Sequence, residues 1–467
     1  MTNISYTPEE PIAAIATALA PGAIGIVRTT GKNCISLMAS IFSRPRALQN
    51  AAANSLVYGW LLDADSNGRI DEVMLGVYKA PKSFTGEDMV EIYCHGGVSV
   101  VTAVLNLLLK NGFRQAERGE FTFRAYINGK TDLTKAEAIK EIIDSKTDVS
   151  RGRAVGRLAG NLFAEIDSIK KCIVDTLAAI EVEIEYPEDE ETIADSFDSF
   201  QLEEARQRLA SLVHSWKSEK LYQDGARVVL CGKTNAGKSS LFNALLKEER
   251  AIVSDIEGTT RDWLESWASF EGIPVRLFDT AGLRSTSDVI EAEGVERTRD
   301  LSSEADVILY LVDASAGLSE EDRMFLSEKK ETPIILVWNK CDKGDDFAIE
   351  MNGDDAYKSD VRAEVRLSAK NGNGLGTLIG TAKRILCGGE ETDRNAAGLG
   401  SQRQRNSVSE ALERIEHALV IANDGSYGLD AVVQDLEDCL DSLGEVTGEV
   451  TPDDVLGAVF ANFCVGK

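Results

Sequence analysis

Val228-Val229-Leu230-Cys231, then Gly232-Lys233-Thr234-Asn235-Ala236-Gly237-Lys238-Ser239, then Ser240-Leu241-Phe242-Asn243-Ala244-Leu245-Leu246: an apolar run, a polar loop bounded by glycines and an apolar-periodic stretch follow without a gap. The first reads as a buried strand, the last as a helix, and the loop between them as a phosphate cradle. Backbone N–H groups at Asn235, Ala236, Gly237, Lys238, Ser239 and Ser240, together with the positive end of the helix, suit an anion. Lys238 brings a point charge to the β- and γ-phosphates, and the Ser239 hydroxyl is placed to ligate magnesium. A Gly-rich turn of this kind arises by accident in roughly a few per cent of chains this long, so the segments downstream decide.

Three such segments follow in order. Asp279-Thr280-Ala281-Gly282 ends the apolar run Val275–Phe278, where a carboxylate holds magnesium through water and a glycine N–H senses the γ-phosphate. Asn339-Lys340-Cys341-Asp342 follows Ile334–Val337, and the Asp342 carboxylate can accept from both N1–H and the exocyclic amine of guanine. Adenine offers no such donor pair. Ser368-Ala369-Lys370 after Val365-Arg366-Leu367 completes a base pocket, with a backbone N–H available to guanine O6. Any one of these is a polar loop after a strand; four in order select GTP over ATP. With Val307–Val312 they also give repeated strand, loop and helix, the pattern of a doubly wound, mostly parallel sheet over residues 220–386.

On either side the pattern differs. Residues 1–127 alternate short apolar runs such as Ile24-Gly25-Ile26-Val27 and Val73–Tyr78 with turns and one helical stretch, Val98 to Leu109, an α+β domain. Within 128–219, apolar residues from Ala154 through Leu158, Leu162, Ile166, Ile169, Ile173, Leu177, Ile180 and Ile184 recur at steps of three and four. They predict one long amphipathic helix, followed by an acidic loop and a shorter helix from Leu202 to about Trp216. Helical periodicity returns in 387–467 with Val408, Leu412, Ile415 and Leu419, then Leu429 to Leu443. The expected architecture is multi-domain α/β and α, a helical domain interrupted by the nucleotide-binding domain.

The whole chain of 467 residues carries 50 Lys and Arg against 77 Asp and Glu, a formal charge of −27. That balance argues against a broad basic surface for nucleic acid. Arg151, Arg153 and Arg157 are local basic positions that read as a solvated helix face, with a contribution to RNA contact as the sharper alternative. The eight cysteines contain no Cys-x-x-Cys pair and three histidines complete no zinc spacing, which fits a reduced cytoplasmic protein. Ile12 to Val27 is uncharged, yet it follows Glu9-Glu10 and is broken by Pro21-Gly22, so neither a signal peptide nor a membrane span is expected.

The catalytic equipment is unusual. GTPases of the Ras type orient the attacking water with a glutamine directly after the Asp-x-x-Gly tetrapeptide, and here Leu283 occupies that position. An arginine finger is worth about 10³–10⁵ in rate, roughly 4–7 kcal/mol, and no arginine is assigned to that task by the motifs.

Gly258-Thr259-Thr260-Arg261-Asp262 and Asp279-Thr280-Ala281-Gly282-Leu283-Arg284 resemble a group of bacterial RNA-linked GTPases. The distinguishing stretches are Phe84-Thr85-Gly86-Glu87-Asp88, His95-Gly96-Gly97, Arg118-Gly119-Glu120-Phe121-Thr122, Asn128-Gly129-Lys130, Lys135-Ala136-Glu137-Ala138 and the terminal Phe463-Cys464-Val465-Gly466-Lys467. Together, in order and over nearly the whole chain, they resemble the MnmE (TrmE) family of tRNA-modification GTPases. The resemblance implies a folate-binding, dimerising amino-terminal domain and a heterotetramer or larger complex with the FAD-dependent subunit MnmG. It further implies installation of an aminomethyl or carboxymethylaminomethyl group at C5 of wobble uridine in certain tRNAs, with 5-formyltetrahydrofolate or a related folate supplying one carbon. The folate contacts it implies are Arg28, Glu91, Lys130 and Lys467.

The same resemblance implies GTPase domains that dimerise across the nucleotide, with potassium near the place of an arginine finger. Asn235, Ser254, Ile256 and Thr259 match the positions around that ion, Ser254 standing where a threonine is expected. Thr260 matches the switch ligand of magnesium. Glu291 matches the glutamate that orients water, with Glu293 and Glu296 close by as alternatives. Cys464 matches a family cysteine; without a base nearby in sequence it reads first as inert and only secondarily as a nucleophile. The rival class is a GTP-dependent switch on ribosomal RNA, which a Lys- and Arg-rich appendage would favour. A third is a folate-binding module whose GTPase has lost function, which four intact motifs disfavour. The acidity of the chain agrees with an RNA substrate if MnmG carries most of the tRNA contact, and it argues against autonomous tight tRNA binding.

Overall fold

The computed structural model describes residues 10–63, 68–185, 199–248, 265–279, 304–328, 332–343, 360–389, 397–424 and 429–466. Two units divide the chain, one of Met1–Lys140 with Glu437–Lys467, the other of Glu141–Leu436. Among the described residues no helix is long and apolar enough to cross a membrane.

The first unit is built on a six-stranded sheet: β1 (Ile12–Ile15), β2 (Ile24–Thr30), β3 (Ser55–Asp63), β4 (Gly68–Tyr78), β5 (Met89–His95) and β6 (Arg114–Gln115) in the order β3-β4-β5-β2-β1-β6. All neighbours are antiparallel except β1 and β6. Period-2 alternation sets the register: Val73, Leu75 and Val77 of β4 and Val90, Ile92 and Cys94 of β5 turn to one core, shared with Val27 of β2. Helix Val98–Lys110 covers that face through Val101, Val104, Leu107 and Leu108, which the 3.6-residue repeat brings to one stripe. The chain's end belongs to the same unit. Phe460 and Phe463 of the terminal segment pack with Leu133, Ala136 and Leu456, and the Phe123 ring meets Phe460 edge-on at 5.2 Å.

The second unit carries the other sheet: β7 (Ala226–Gly232), β8 (Glu265–Phe270), β9 (Ile273–Asp279), β10 (Val307–Asp313), β11 (Ile334–Asn339) and β12 (Val361–Arg366) in the order β12-β11-β10-β7-β9-β8. Five strands are parallel, and β8 joins β9 as an antiparallel hairpin. The central strands are apolar on both faces, as a sheet covered on both sides requires. Leu230, Leu309 and Val337 enter one core with Leu241 and Leu245, while Cys231, Tyr310 and Trp338 enter the other with Leu326.

Three expectations are corrected in the helices of this unit. The stripe from Ala154 to Ile184 is carried by two helices, Asp148–Ala159 and Asn161–Glu185, because Gly160 sits at φ +101° and ends the first by accepting a left-handed cap. Arg153 and Arg157 are not a solvated face. Both are buried: Arg153 pairs with Glu219 and stacks 4.2 Å over Tyr222, and Arg157 bridges Glu219 at 3.1 Å and Glu141 at 2.5 Å. A guanidinium removed from water needs such partners, so these two arginines are committed to packing and only Arg151 stays exposed. The helix expected from Leu202 to Trp216 extends over Ser199–Asp224 and runs directly into β7.

Candidate nucleotide site

Parallel registers bring the motifs to one edge. Leu230 of β7 stands opposite Asp279 of β9, Leu311 of β10 opposite Gly232, and Asp313 opposite Asn339 of β11. The residues that end these strands therefore line one carboxyl edge of the sheet, where α/β proteins bind ligands. Helix Lys238–Glu248 starts there.

The loop between β7 and that helix is shaped by backbone conformations that side chains resist. Gly232 has φ +127° and Gly237 φ +97°, and a Cβ on Gly237 would lie 2.2 Å from the Asn339 amide nitrogen. Asn235 takes the left-handed region at φ +67°, which asparagine tolerates. Lys238 is 8% exposed, and its ammonium donates to the Gly232 carbonyl at 2.7 Å and the Lys233 carbonyl at 2.9 Å. The positive charge is thus wrapped inside the loop. The Ser239 hydroxyl donates to Asp279 Oδ2 at 2.9 Å. This hydroxyl and carboxylate are the oxygen donors that a hard divalent cation uses, so Ser239 and Asp279 fit magnesium, with phosphate and water oxygens to fill its shell.

At the base end, Asn339 acts as a staple. It is 2% exposed; its amide nitrogen donates to the Ala236 carbonyl at 2.8 Å and its Oδ1 accepts from Lys340 N–H at 2.8 Å and Ala369 N–H at 3.0 Å. Phosphate loop, guanine loop and the Ser368-Ala369 turn are joined through one side chain. The Ser368 hydroxyl donates to Asp342 Oδ1 at 2.7 Å, and that bond holds the Asp342 carboxyl below the usual carboxylate range. An ionised, oriented acceptor is what the two donors of guanine require.

The structure thus brings together Asn235, Ala236, Gly237, Lys238, Ser239, Asp279, Asn339, Lys340, Asp342, Ser368 and Ala369 in one edge of one unit. Ser240 follows in the helix and Lys370 in the turn after Ala369. Ser254, Ile256, Thr259, Thr260, Thr280, Ala281, Gly282, Glu291, Glu293 and Glu296 lie outside the described residues. One contributor escaped the motifs: Asp313, at the end of β10, receives the Lys340 ammonium at 2.7 Å. Its only sequence signal is an acid closing an otherwise apolar strand.

The amino-terminal unit holds a second constellation. Arg28 of β2 and Glu91 of β5 are register partners, and Arg28 Nε donates to Glu91 Oε1 at 2.8 Å. Glu91 Oε2 accepts from Tyr93 at 2.7 Å and Tyr78 at 3.3 Å. Three of the chain's own donors fill this carboxylate, which leaves about one of its four acceptor sites for a ligand. The Arg28 guanidinium lies 5.4 Å from the Phe84 ring centroid and 5.9 Å from that of Phe121, and Nη1 reaches the Gly466 carbonyl at 3.4 Å. Lys130 is exposed beside Gly86, whose added Cβ would come within 3.3 Å of Lys130 Cε. Cys464 is exposed, its carbonyl accepting from Gly119 N–H at 3.3 Å; Lys467 lies outside the described residues. A flat aromatic ligand with carboxylates fits this set of ring, guanidinium and ammonium, in the manner expected for a folate.

A doubly wound sheet with a phosphate loop, a Ser–Asp pair for a divalent cation and an Asn-Lys-x-Asp base loop defines a P-loop GTPase. Comparison with known proteins narrows this. A family model described as the MnmE helical domain matches residues 133–464, and one described as the GTP-binding protein TrmE N-terminus matches residues 11–130. The chain belongs to the MnmE family. It is 51% identical over 469 residues to the tRNA modification GTPase MnmE of Treponema denticola, covering 99% of both chains. It is 40% identical over 465 residues to that of Carboxydothermus hydrogenoformans, covering 98% of this chain and 100% of the relative. Among solved structures, Aquifex aeolicus Era bound to GDP and aluminium fluoride matches at 25% identity over 40% of this chain and 66% of that one, with a TM-score of 0.29.

Proposed function

We propose that this protein is the GTP-hydrolysing subunit of a tRNA-modifying complex. With the FAD-dependent MnmG it would add an aminomethyl or carboxymethylaminomethyl group at C5 of wobble uridine, using a folate one-carbon unit. The observation that carries the reading is the guanine pocket of Asn339, Asp342 and Ser368, in a chain whose relatives bear the tRNA-modification name along their full length.

In this reading Asp342 selects guanine, Asn339 holds the base loop to the phosphate loop, and Lys238 carries the charge that meets the β- and γ-phosphates. Ser239 and Thr260 would hold magnesium, with Asp279 acting through water, and the bound ion would neutralise charge developing on the phosphates. Glu291 orients the attacking water, since Leu283 cannot. Asn235, Ser254, Ile256 and Thr259 would hold potassium, which would supply the positive charge of an arginine finger. Two copies dimerise, and the reaction belongs to the cytoplasm. In the amino-terminal unit Glu91 orients Arg28 and offers its remaining acceptor position to the amine edge of the folate, while Arg28, Lys130 and Lys467 receive the folate carboxylates. Cys464 stays near that site without an assigned covalent step.

Nucleoside mass spectrometry of tRNA from a strain lacking the gene is the decisive experiment. The expected result is loss of the C5 modification at wobble uridine, restored by the intact gene. A normal wobble nucleoside would end this reading and, with a ribosome-assembly defect, favour the ribosomal RNA switch. A second expected result concerns the cation: GTP turnover in potassium chloride should exceed that in sodium chloride at matched ionic strength by about tenfold or more, with about 10³–10⁵ as the ceiling set by a full arginine finger. Equal rates would remove potassium from the site.

A further inference from the structure

Asp313 has a geometry that guanine and phosphate recognition alone do not call for. Its Oδ1 accepts from Ser315 N–H at 3.0 Å and from the Ser315 hydroxyl at 2.7 Å, which pins the carboxylate to its own turn. Its Oδ2 receives the Lys340 ammonium at 2.7 Å. The same ammonium donates at 2.6 Å to the carbonyl of Asn235 in the phosphate loop. Lys340 starts from a left-handed backbone at φ +68°, with its N–H committed to Asn339. Its side chain thus spans from the base loop across to the phosphate loop, and Asp313 decides where its charge stands.

The environment makes this more than a surface pair. Side-chain exposure is 25% for Lys340 and 22% for Asp313. Burial opposes the charge on Asp313, yet the Lys340 and Ser315 bonds outweigh it and hold its carboxyl down at about 2. Asp313 therefore carries its negative charge at any working pH. A lysine ammonium is a point charge on a flexible stem, so without a fixed counter-charge it would sample many positions.

The geometry points to Asp313 as a positioning residue of the nucleotide site: it fixes the Lys340 ammonium as a strap between guanine loop and phosphate loop, and so sets how long a guanine nucleotide stays bound. Asp313 acts through Lys340. Opening of the strap separates the Asn235 carbonyl from the base loop and leaves the bond from Asn339 to Ala236 to join them among the described residues. The inference rests on the GTPase reading of this site.

The test is release of a fluorescent GDP analogue from the full-length protein, with steady-state GTP kinetics alongside. Asp313→Asn is expected to speed GDP release about tenfold, the scale of one charge-assisted hydrogen bond, and to raise KM by a similar factor with a smaller change in kcat. In a Lys340→Met background the same change should add nothing, because the residue through which it acts is gone. Additive effects of the two substitutions, or a release rate within about twofold of the unmodified protein, would overturn the proposal. Ser315→Ala keeps the charge but loosens it, and is expected to speed release by a smaller factor; should Asp313→Asn fail to fold, an unchanged rate in Ser315→Ala overturns the proposal instead. Absence of GDP binding by the unmodified protein would instead defeat the GTPase reading itself.

Discussion

Lys238→Ala is expected to lower GTP hydrolysis by about 10³-fold, the scale of losing one preorganised charge at a phosphoryl centre. Lys238 opens helix Lys238–Glu248, directly after Gly237, so its ammonium and the first helical N–H groups face the same point. It is 8% exposed and bonded to the carbonyls of Gly232 and Lys233, so the desolvated cation is held by the loop itself. Alanine removes the charge and leaves both carbonyls without that donor, so the loop loses its internal brace as well. Lys238→Arg is the informative companion. A planar guanidinium cannot satisfy two carbonyls of a loop shaped around an ammonium, and most of the loss should persist although the charge is kept. Steady-state turnover, with circular dichroism to check the fold, measures both. An alanine variant within about tenfold of the unmodified rate would mean that Lys238 does not face the transferred phosphate.

How much of this site was legible before the fold was known varies with how local each signal is. The phosphate loop, Asp279, the Asn339–Asp342 loop and the Ser368 turn each follow an apolar run directly, and parallel pairing of β7, β9, β10 and β11 does the rest by aligning strand ends. Each motif carries its own position. Strand β8 carries none: it is an antiparallel edge, read only by its hairpin partner β9. The break at Gly160 was hidden for a related reason. The apolar step of four from Leu158 to Leu162 continues across it, so periodicity alone does not reveal that the backbone has turned left-handed.

Charges were the least legible feature, because the partner of a charge is set by the fold. Arg153 and Arg157 share a helix face by their spacing and look solvated, yet Glu141 and Glu219, which take them inside, arrive from other helices. Asp313 and Lys340 meet only because β10 and β11 are neighbours. Glu91 offers the same lesson at the second site. The family resemblance implies Glu91 as a folate contact, and no local pattern announces that Arg28, Tyr78 and Tyr93 already occupy most of its carboxylate. What is left for a ligand is about one acceptor position, beside an Arg28 that the same carboxylate orients.

Asp342→Asn is expected to cost about 10³-fold in GTP affinity and to turn the site toward xanthosine triphosphate. A site built to pair with two donors rejects a ligand far more strongly through an unpaired or opposed polar group than through lost surface. The Ser368 hydroxyl fixes the direction of the change. It donates to Asp342 Oδ1 at 2.7 Å, and after substitution it can keep that bond only if the amide oxygen stays on its side. The amide N–H₂ then points to the base. Facing guanine it opposes the exocyclic amine, donor against donor; facing xanthine it meets a carbonyl at the same position and regains a hydrogen bond. Because Ser368 already holds the Asp342 carboxyl below its usual range, the unmodified site keeps its charged acceptor throughout neutral and mildly acidic conditions, and the loss cannot be ascribed to protonation. Competition of GTP and xanthosine triphosphate for the variant measures the switch. If GTP remained the preferred ligand, Asp342 would not be the residue that reads the base, and the guanine assignment would have to rest on the Ser368 turn alone.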